Sequence, residues 1–424
     1  MNQFIIKNVY FIKIFFTILI TLIISSTIYL YYFQFNDEPF AICENKIKYT
    51  LEVNSNTYEF LYLNNKCDDP SYFSSVFDLK NLFNEKGWMY QNRPLYIVSI
   101  KLLNLFFKHL QIEKDGVYVP ILGFYFYQII IVSLSLSLLL LNKYKIKKIR
   151  HLEIILSSLI MYSFPLIRYG IFSTSNQLTL ILLFSIILYM KENKIDVSKF
   201  HLIFFGVLFM VNRATVIGYV YFLFKYLFSK NIKFNQKFIN FFSSLIFFIP
   251  LLIYKIIIFV FNLNKFDINS STYGQFIWLN NYLVTPVNFI SQKLIEKPIL
   301  NYKNYFSEWH CAKLPDNFIC YYSDTLLLLK YLGKPLIFLI IFSIFFLKKQ
   351  EKLFTLIQIS IISYIFWSLI GWYPPIRFNL YSVGLLVIFF YIFNFLNIKN
   401  IYVKLLSSGS WIVICLQLNH WNVY

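Results

Sequence analysis

An all-α polytopic membrane protein is the fold class this sequence predicts, and three observations predict it. Of the 424 residues, 58% are hydrophobic and 21% aromatic, while only 14% carry charge. A soluble globule with that composition would expose far too much apolar surface. Apolar runs of about 20 residues recur, each long enough to cross roughly 30 Å of hydrocarbon. Finally, the basic residues come in small clusters between the runs instead of forming one stripe.

The clearest runs are Ile14 to Phe33, Val117 to Leu141, Phe238 to Phe261, Leu353 to Trp372 and Phe378 to Phe395. The first has an apolar stretch too long for a cleaved leader and no small-residue cleavage site after it, so it is expected to stay as a signal anchor. None of the five contains Asp or Glu. Ion-coupled transporters place carboxylates at mid-membrane depth, so a coupled pump is disfavoured.

A net charge of +19 invites a nucleic-acid partner. The clusters argue for the excess of Lys and Arg that membrane proteins keep on the cytoplasmic side. Lys143, Lys145, Lys147, Lys148 and Arg150 form one; Lys191, Lys194 and Lys199 another; Lys230, Lys233 and Lys237 a third; Lys348, Lys349 and Lys352 a fourth. With Lys7 and Lys13 they set the N-terminus inside and give about eleven crossings. That path requires Pro94 to Leu110 to lie at the surface or re-enter. It also requires Phe200 to Phe228 to fold as two short helices with Asn212 and Arg213 near the outer turn.

Residues 1–424 then form one integral membrane domain, with a first outer loop over 34–116 and a second over 262–331. The stretches Gln34 to Arg93 and Asn262 to Tyr331 hold 14 of the 20 carboxylates. Cys43 and Cys67 fall in the first loop, Cys311 and Cys320 in the second, and Cys415 in the last span. Two loop-closing disulfides in an oxidising compartment and four free thiols are both open readings. A zinc site is disfavoured, because no paired Cys-x-x-Cys occurs and His310 is the one histidine nearby.

The most informative stretch is Cys67-Asp68-Asp69-Pro70-Ser71-Tyr72-Phe73, followed by Gly87-Trp88-Met89-Tyr90-Gln91-Asn92-Arg93-Pro94-Leu95-Tyr96. Between them Phe73, Val76, Phe77, Leu79, Leu82 and Phe83 predict an amphipathic helix at the membrane surface. Asp68 and Asp69 before Pro70 have two readings. They cap a helix, or they form an acid pair that orients an acceptor and takes its proton, with mutual repulsion raising one pKa.

This order of residues resembles the first outer loop of the GT-C superfamily of polyprenyl-phosphate-sugar-dependent glycosyltransferases. Within it the likeness is to the dolichyl-phosphate-mannose-protein mannosyltransferase and aminoarabinose-transferase type. Asp68, Asp69 and Tyr72 match a D-E-x-x-Y pattern, and Arg93, Pro94, Leu95 and Tyr96 an R-P-P-L-Y pattern with one proline missing. Three later segments are similar to later parts of that superfamily. They are Ser163-Phe164-Pro165-Leu166-Ile167-Arg168-Tyr169 with Ser173-Thr174-Ser175-Asn176-Gln177, then Phe209 to Thr215 around Asn212-Arg213, then Trp372 to Phe378 around Arg377. Asn176 and Gln177 stand where an acidic residue is common, so a catalytic divalent cation loses a ligand there.

The resemblance implies a GT-C-like bundle of about eleven helices with two large outward loops. A sugar would pass from a polyprenyl phosphate to a glycan, lipid or protein acceptor outside the cytoplasm, at a bacterial inner membrane. Asp68 or Asp69 would be the base, and Tyr72 and Tyr96 would touch substrate. Independently of the resemblance, Arg93, Arg168, Arg213 and Arg377 suit a lipid phosphate, since guanidinium binds it by paired, charge-assisted bonds. Each also reads as an arginine snorkelling to headgroups. Lys255 is a further phosphate contact or a snorkelling lysine. The aromatic second loop, with Trp278, Trp309, Tyr302, Tyr305, Tyr321 and Tyr322 near Glu308, His310, Asp316 and Asp324, is an acceptor surface or an interfacial belt. The alternatives are a polysaccharide polymerase or ligase, and an exporter of lipid-linked glycans.

Overall fold

The computed structural model describes residues 2–32, 48–53, 56–61, 72, 75–76, 78–83, 93–106, 112–114, 117–118, 121–143, 150–172, 176–227, 234–263, 334–335, 337–338, 351–370 and 375–416. Helix dominates them. The chain divides into two units, one formed by Met1–Lys265 with Leu405–Leu416, the other by Phe266–Lys404 with Gln417–Tyr424.

In the first unit, α1 (Asn2–Tyr32) shows how an apolar helix carries hydroxyls. Thr17, Thr21, Ser25 and Thr27 each donate to the carbonyl four residues back, at 2.9, 2.7, 2.7 and 2.9 Å. Such bonds keep polar groups satisfied where water is absent. Ile14, Ile18, Leu22 and Ser26 are buried, whereas Ile12, Phe16, Ile20, Ile24 and Ile28 form an exposed ridge.

Residues 34–116, expected to carry interfacial helices, also contain a small antiparallel sheet in the order β2-β1-β3-β4. Its strands are β1 (Lys48–Val53), β2 (Asn56–Leu61), β3 (Ile112–Lys114) and β4 (Val117–Tyr118). The register pairs Thr50 with Glu59 on one side and with Glu113 on the other. Alternation such as Tyr49-Thr50-Leu51-Glu52-Val53 is the period of a strand, a signal hidden among so many apolar runs. Of the amphipathic segment, Tyr72, Ser75 and Val76 are helical and buried, and Leu79–Phe83 forms a 3-10 turn with Leu82 buried. Asp78 starts that turn, its carboxylate accepting from the Lys80 backbone N–H at 3.0 Å.

Helix α2 (Pro94–Phe106) has 13 residues. At 1.5 Å per residue it reaches about 20 Å, short of a crossing. It rests on α3 (Ile121–Lys143) at Gly123, where a Cβ would meet the Ile100 carbonyl oxygen at 2.8 Å. Helix α3 also packs on α1 and on α6 (Thr179–Glu192), which is buried along nearly its whole length. Helices α4 (His151–Ser163) and α5 (Pro165–Ile171) are split by Phe164, whose extended backbone follows from the proline after it.

Residues 199 to 227 form two short helices, α7 (Lys199–Val211) and α8 (Val216–Leu227), joined by a 3-10 turn over Arg213–Thr215. Ser198 caps α7, with His201 closing the capping box. Next come α9 (Phe234–Ser244), a 3-10 turn at Leu245–Phe248, and α10 (Ile249–Val260) with Pro250 in its first turn. Gly206 of α7 sits so close to Phe247 that an added Cβ would overlap the Phe247 carbonyl oxygen. Small residues of this kind let helix backbones approach in an apolar medium, where packing replaces the hydrophobic effect.

In the second unit α11 (Glu351–Ile370) packs on α12 (Pro375–Asn397), which buries Leu385, Ile388, Phe389, Ile392 and Phe395. Of α13 (Ile401–Leu416), residues 405–416 belong to the first unit, where Trp411 donates to the Ile160 carbonyl at 3.2 Å. Three helical stretches among the described residues are long and apolar enough to cross a membrane: Val9–Tyr29, Leu122–Leu141 and Ile239–Val260.

Candidate functional site

The residue before α2 carries the first functional side chain. Arg93 is half-buried and donates from Nη1 to the Tyr72 hydroxyl oxygen at 2.8 Å. Tyr72 is held in turn by a group of rings, with centroids 5.9 Å from Tyr96 and 6.0 Å from Phe124. Tyr96, expected at the substrate, is fully enclosed and stacks edge-on to Tyr127 at 5.1 Å, while its hydroxyl accepts from Gln128 Nε2 at 3.5 Å. Its place is in the layer that supports Tyr72 and Arg93.

Arg213 comes to this group from the α7–α8 turn, α7 being packed against α2. Arg93 and Tyr72 both lie within electrostatic reach of it. Burial first, and then Arg93, push its guanidinium down to about 9, with Tyr72 opposing. It remains charged at neutral pH. Lys255 of α10 lies within electrostatic reach of Arg213. Gly206 lies against Phe247 and Pro250, and α7 packs on α10.

The turn that carries Arg213 is pinned to the turn before α6. Asn176 Nδ2 donates to the Val211 carbonyl at 2.6 Å, and Asn212 Nδ2 donates back to the Asn176 carbonyl at 2.7 Å. Asn212 Oδ1 accepts from the Ala214 N–H at 2.8 Å, and the Thr215 hydroxyl donates to the Asn212 carbonyl at 2.8 Å. Both asparagines are buried. The Asn176 Nδ2 is thus committed to backbone, while its Oδ1 is buried without a hydrogen-bond partner.

Arg168 has a different setting. It is wholly enclosed, donates from Nη1 to the Ser163 carbonyl at 3.1 Å, and lies 5.1 Å from the centre of the Tyr29 ring. Its contacts with the Ser163 carbonyl and the Tyr29 ring are a setting of their own, distinct from the Arg93–Tyr72 pair. Arg377 stands in the first turn of α12, in the second unit; its side chain lies outside the described residues. Asp68, Asp69, the four loop cysteines, Ser173 to Ser175 and the aromatic residues of 262–331 also lie outside them. Cys415 is a buried free thiol. Among the described residues no group of three or more His, Cys, Asp or Glu gathers.

Sequence reasoning placed Asn176 and Asn212 in outer turns but missed that they bind each other. An Asn directly after a helix and before Arg-Ala-Thr is a capping signal that marks such a turn. Gly206 was missed as well, although a lone glycine inside an apolar helix points to close packing.

Comparison of the chain with family models, curated proteins and solved structures gave no match. The class that fold and site define is a helical protein with helices able to cross a membrane and with cationic side chains gathered beside one helix turn.

Proposed function

We propose that this chain is a multi-pass membrane glycosyltransferase of the GT-C type. It moves a sugar from a polyprenyl-phosphate donor to a glycan, lipid or protein acceptor on the outer face of a bacterial inner membrane. The observation that carries this reading is that Arg213 lies within electrostatic reach of both Arg93 and Lys255, with Tyr72 bonded to Arg93.

Like charges brought together at a half-buried site repel by about 2 to 4 kcal/mol. A phosphate bound between guanidiniums turns that repulsion into charge-assisted hydrogen bonding. During transfer the bond between the anomeric carbon and the phosphate oxygen breaks. Negative charge grows on the leaving polyprenyl phosphate, and cations held in place beforehand stabilise it without rearranging. The acceptor hydroxyl attacks from the opposite face, inverting the anomeric centre, and gives its proton to Asp68 or Asp69. Asp68 and Asp69 stand four and three residues before Tyr72, whose hydroxyl accepts from Arg93, and that short separation supports the assignment.

The test is transfer by the purified full chain in lipid nanodiscs, supplied with radiolabelled polyprenyl-phosphate sugars and cell-envelope acceptors. Single-sugar transfer by the wild type, lost in the Asp68→Asn/Asp69→Asn double variant while the protein remains folded, supports the proposal. Undiminished product from that variant would remove the acids from the chemistry, and a ladder of repeat units would reassign the enzyme as a polymerase.

A further inference from the structure

We propose that Asn176 and Asn212 are positioning residues for the anion site: together they lock the α7–α8 turn so that Arg213 is presented to the side where Arg93 and Tyr72 stand. This inference rests on the phosphate-binding reading of Arg93 and Arg213.

The turn is short and carries a charge toward another charge of the same sign, an arrangement the backbone would relax if it were free. Two features prevent that. The side chain of Asn212 uses both ends, its oxygen capping the turn at Ala214 and its amide crossing to the Asn176 carbonyl. The Asn176 amide returns the bond, to the last carbonyl of α7. Such a reciprocal pair fixes the turn's height against α6 and its rotation about the α7 axis. Asparagine suits position 212 because one short amide supplies a donor and an acceptor in fixed geometry, and position 176 because its Nδ2 supplies the donor that the Val211 carbonyl needs. An aspartate at position 176 would set a carboxylate oxygen 2.6 Å from the Val211 carbonyl oxygen, and would place a competing anion close to the arginines. The asparagine at this point is thus explained by the geometry of the turn.

The role predicts coupling. A residue that only stabilises the fold affects every property in proportion to stability. A residue that acts through Arg213 affects anion binding, and does so only while Arg213 is present.

The experiment measures binding of undecaprenyl phosphate to the full chain in nanodiscs for the wild type, Asn176→Ala, Asn212→Ser, Arg213→Gln and the Asn176→Ala/Arg213→Gln pair. Asn212→Ser keeps a hydroxyl to cap Ala214 and removes the cross-turn donor. Ile187→Ala, a buried change elsewhere on α6, serves as the stability control. Asn176→Ala and Asn212→Ser are expected to weaken binding about tenfold each, Ile187→Ala to lower the unfolding midpoint without weakening binding, and Asn176→Ala to add nothing once Arg213 is gone. Wild-type affinity in Asn176→Ala, additive losses in the pair, or an equal loss in Ile187→Ala would each overturn the positioning role while leaving the phosphate-site reading in place. Absence of binding by the wild type itself would overturn both.

Discussion

Arg168 and Arg213 look alike in the sequence, each a lone arginine a few residues beyond an apolar helix, yet the fold treats them in opposite ways. Arg168 is closed into the helix packing, with a carbonyl at 3.1 Å and an aromatic face at 5.1 Å from its guanidinium. A carbonyl and a ring attract a cation without themselves carrying charge, so the setting resembles a solvent shell made of protein. Arg213 is half-buried and is set by a hydrogen-bonded turn next to a second guanidinium. The first arrangement holds helices together. The second costs energy by itself and repays it when an anion arrives, which is how a binding site differs from a structural one.

The largest effect that can break this comparison comes from exchanging charge for amide at each place. Arg93→Gln or Arg213→Gln is expected to lower the transfer rate by about 100- to 1000-fold, as for loss of one preorganised charge-stabilising donor, with little change in the unfolding midpoint. Arg168→Gln should do the reverse: destabilisation by about 3 kcal/mol, from disrupting a buried charged contact, read by thermal unfolding in detergent. A folded, inactive Arg168→Gln protein would instead place Arg168 in the site.

Next in size is Gly206→Ala. Overfilling a packed contact costs about 1 to 3 kcal/mol, and it would move α10 away from α7, so both stability and transfer should fall. Gly170→Ala is the milder partner, because its Cβ would meet the Leu178 side chain, at 2.7 Å, instead of a backbone carbonyl. Equal losses from the two would show that the α7–α10 contact has no special part.

The smallest expected effect separates the two tyrosines. Tyr72→Phe removes the 2.8 Å bond from Arg93, worth about 0.5 to 1.5 kcal/mol, or a loss of roughly two- to tenfold in kcat/KM. Tyr96→Phe removes the long bond from Gln128, at 3.5 Å, and should lower transfer less than Tyr72→Phe does.

How much of this was legible in the sequence depended on whether the signal was local. The spans Val9–Tyr29, Leu122–Leu141 and Ile239–Val260 follow from composition and run length, as does the pair of short helices around Asn212. Arg93 with Tyr72 was legible as a spaced motif, Tyr72 in the acidic segment and Arg93 directly before α2. The strands of residues 48–61 were hidden because their alternation sits in a chain where nearly every window is apolar. The grip of Asn176 on Val211 was hidden for another reason: 35 residues separate the partners, and no period links them. Tyr96 was placed at the substrate because it belongs to the motif, but its burial depends on α3 packing across it, which no motif encodes.

The 3-10 turn at Leu245–Phe248 acts as a torsional gear for α10. Each of its residues advances the chain by about 120° instead of about 100°, so the 3-10 stretch turns the following helix by roughly 80° relative to a continuous α-helix. That offset decides which side of α10 looks toward α7, and therefore where Lys255 points. An exchange that relaxed the turn into regular helix would swing the lysine a quarter of the way around its axis, silencing it without touching it.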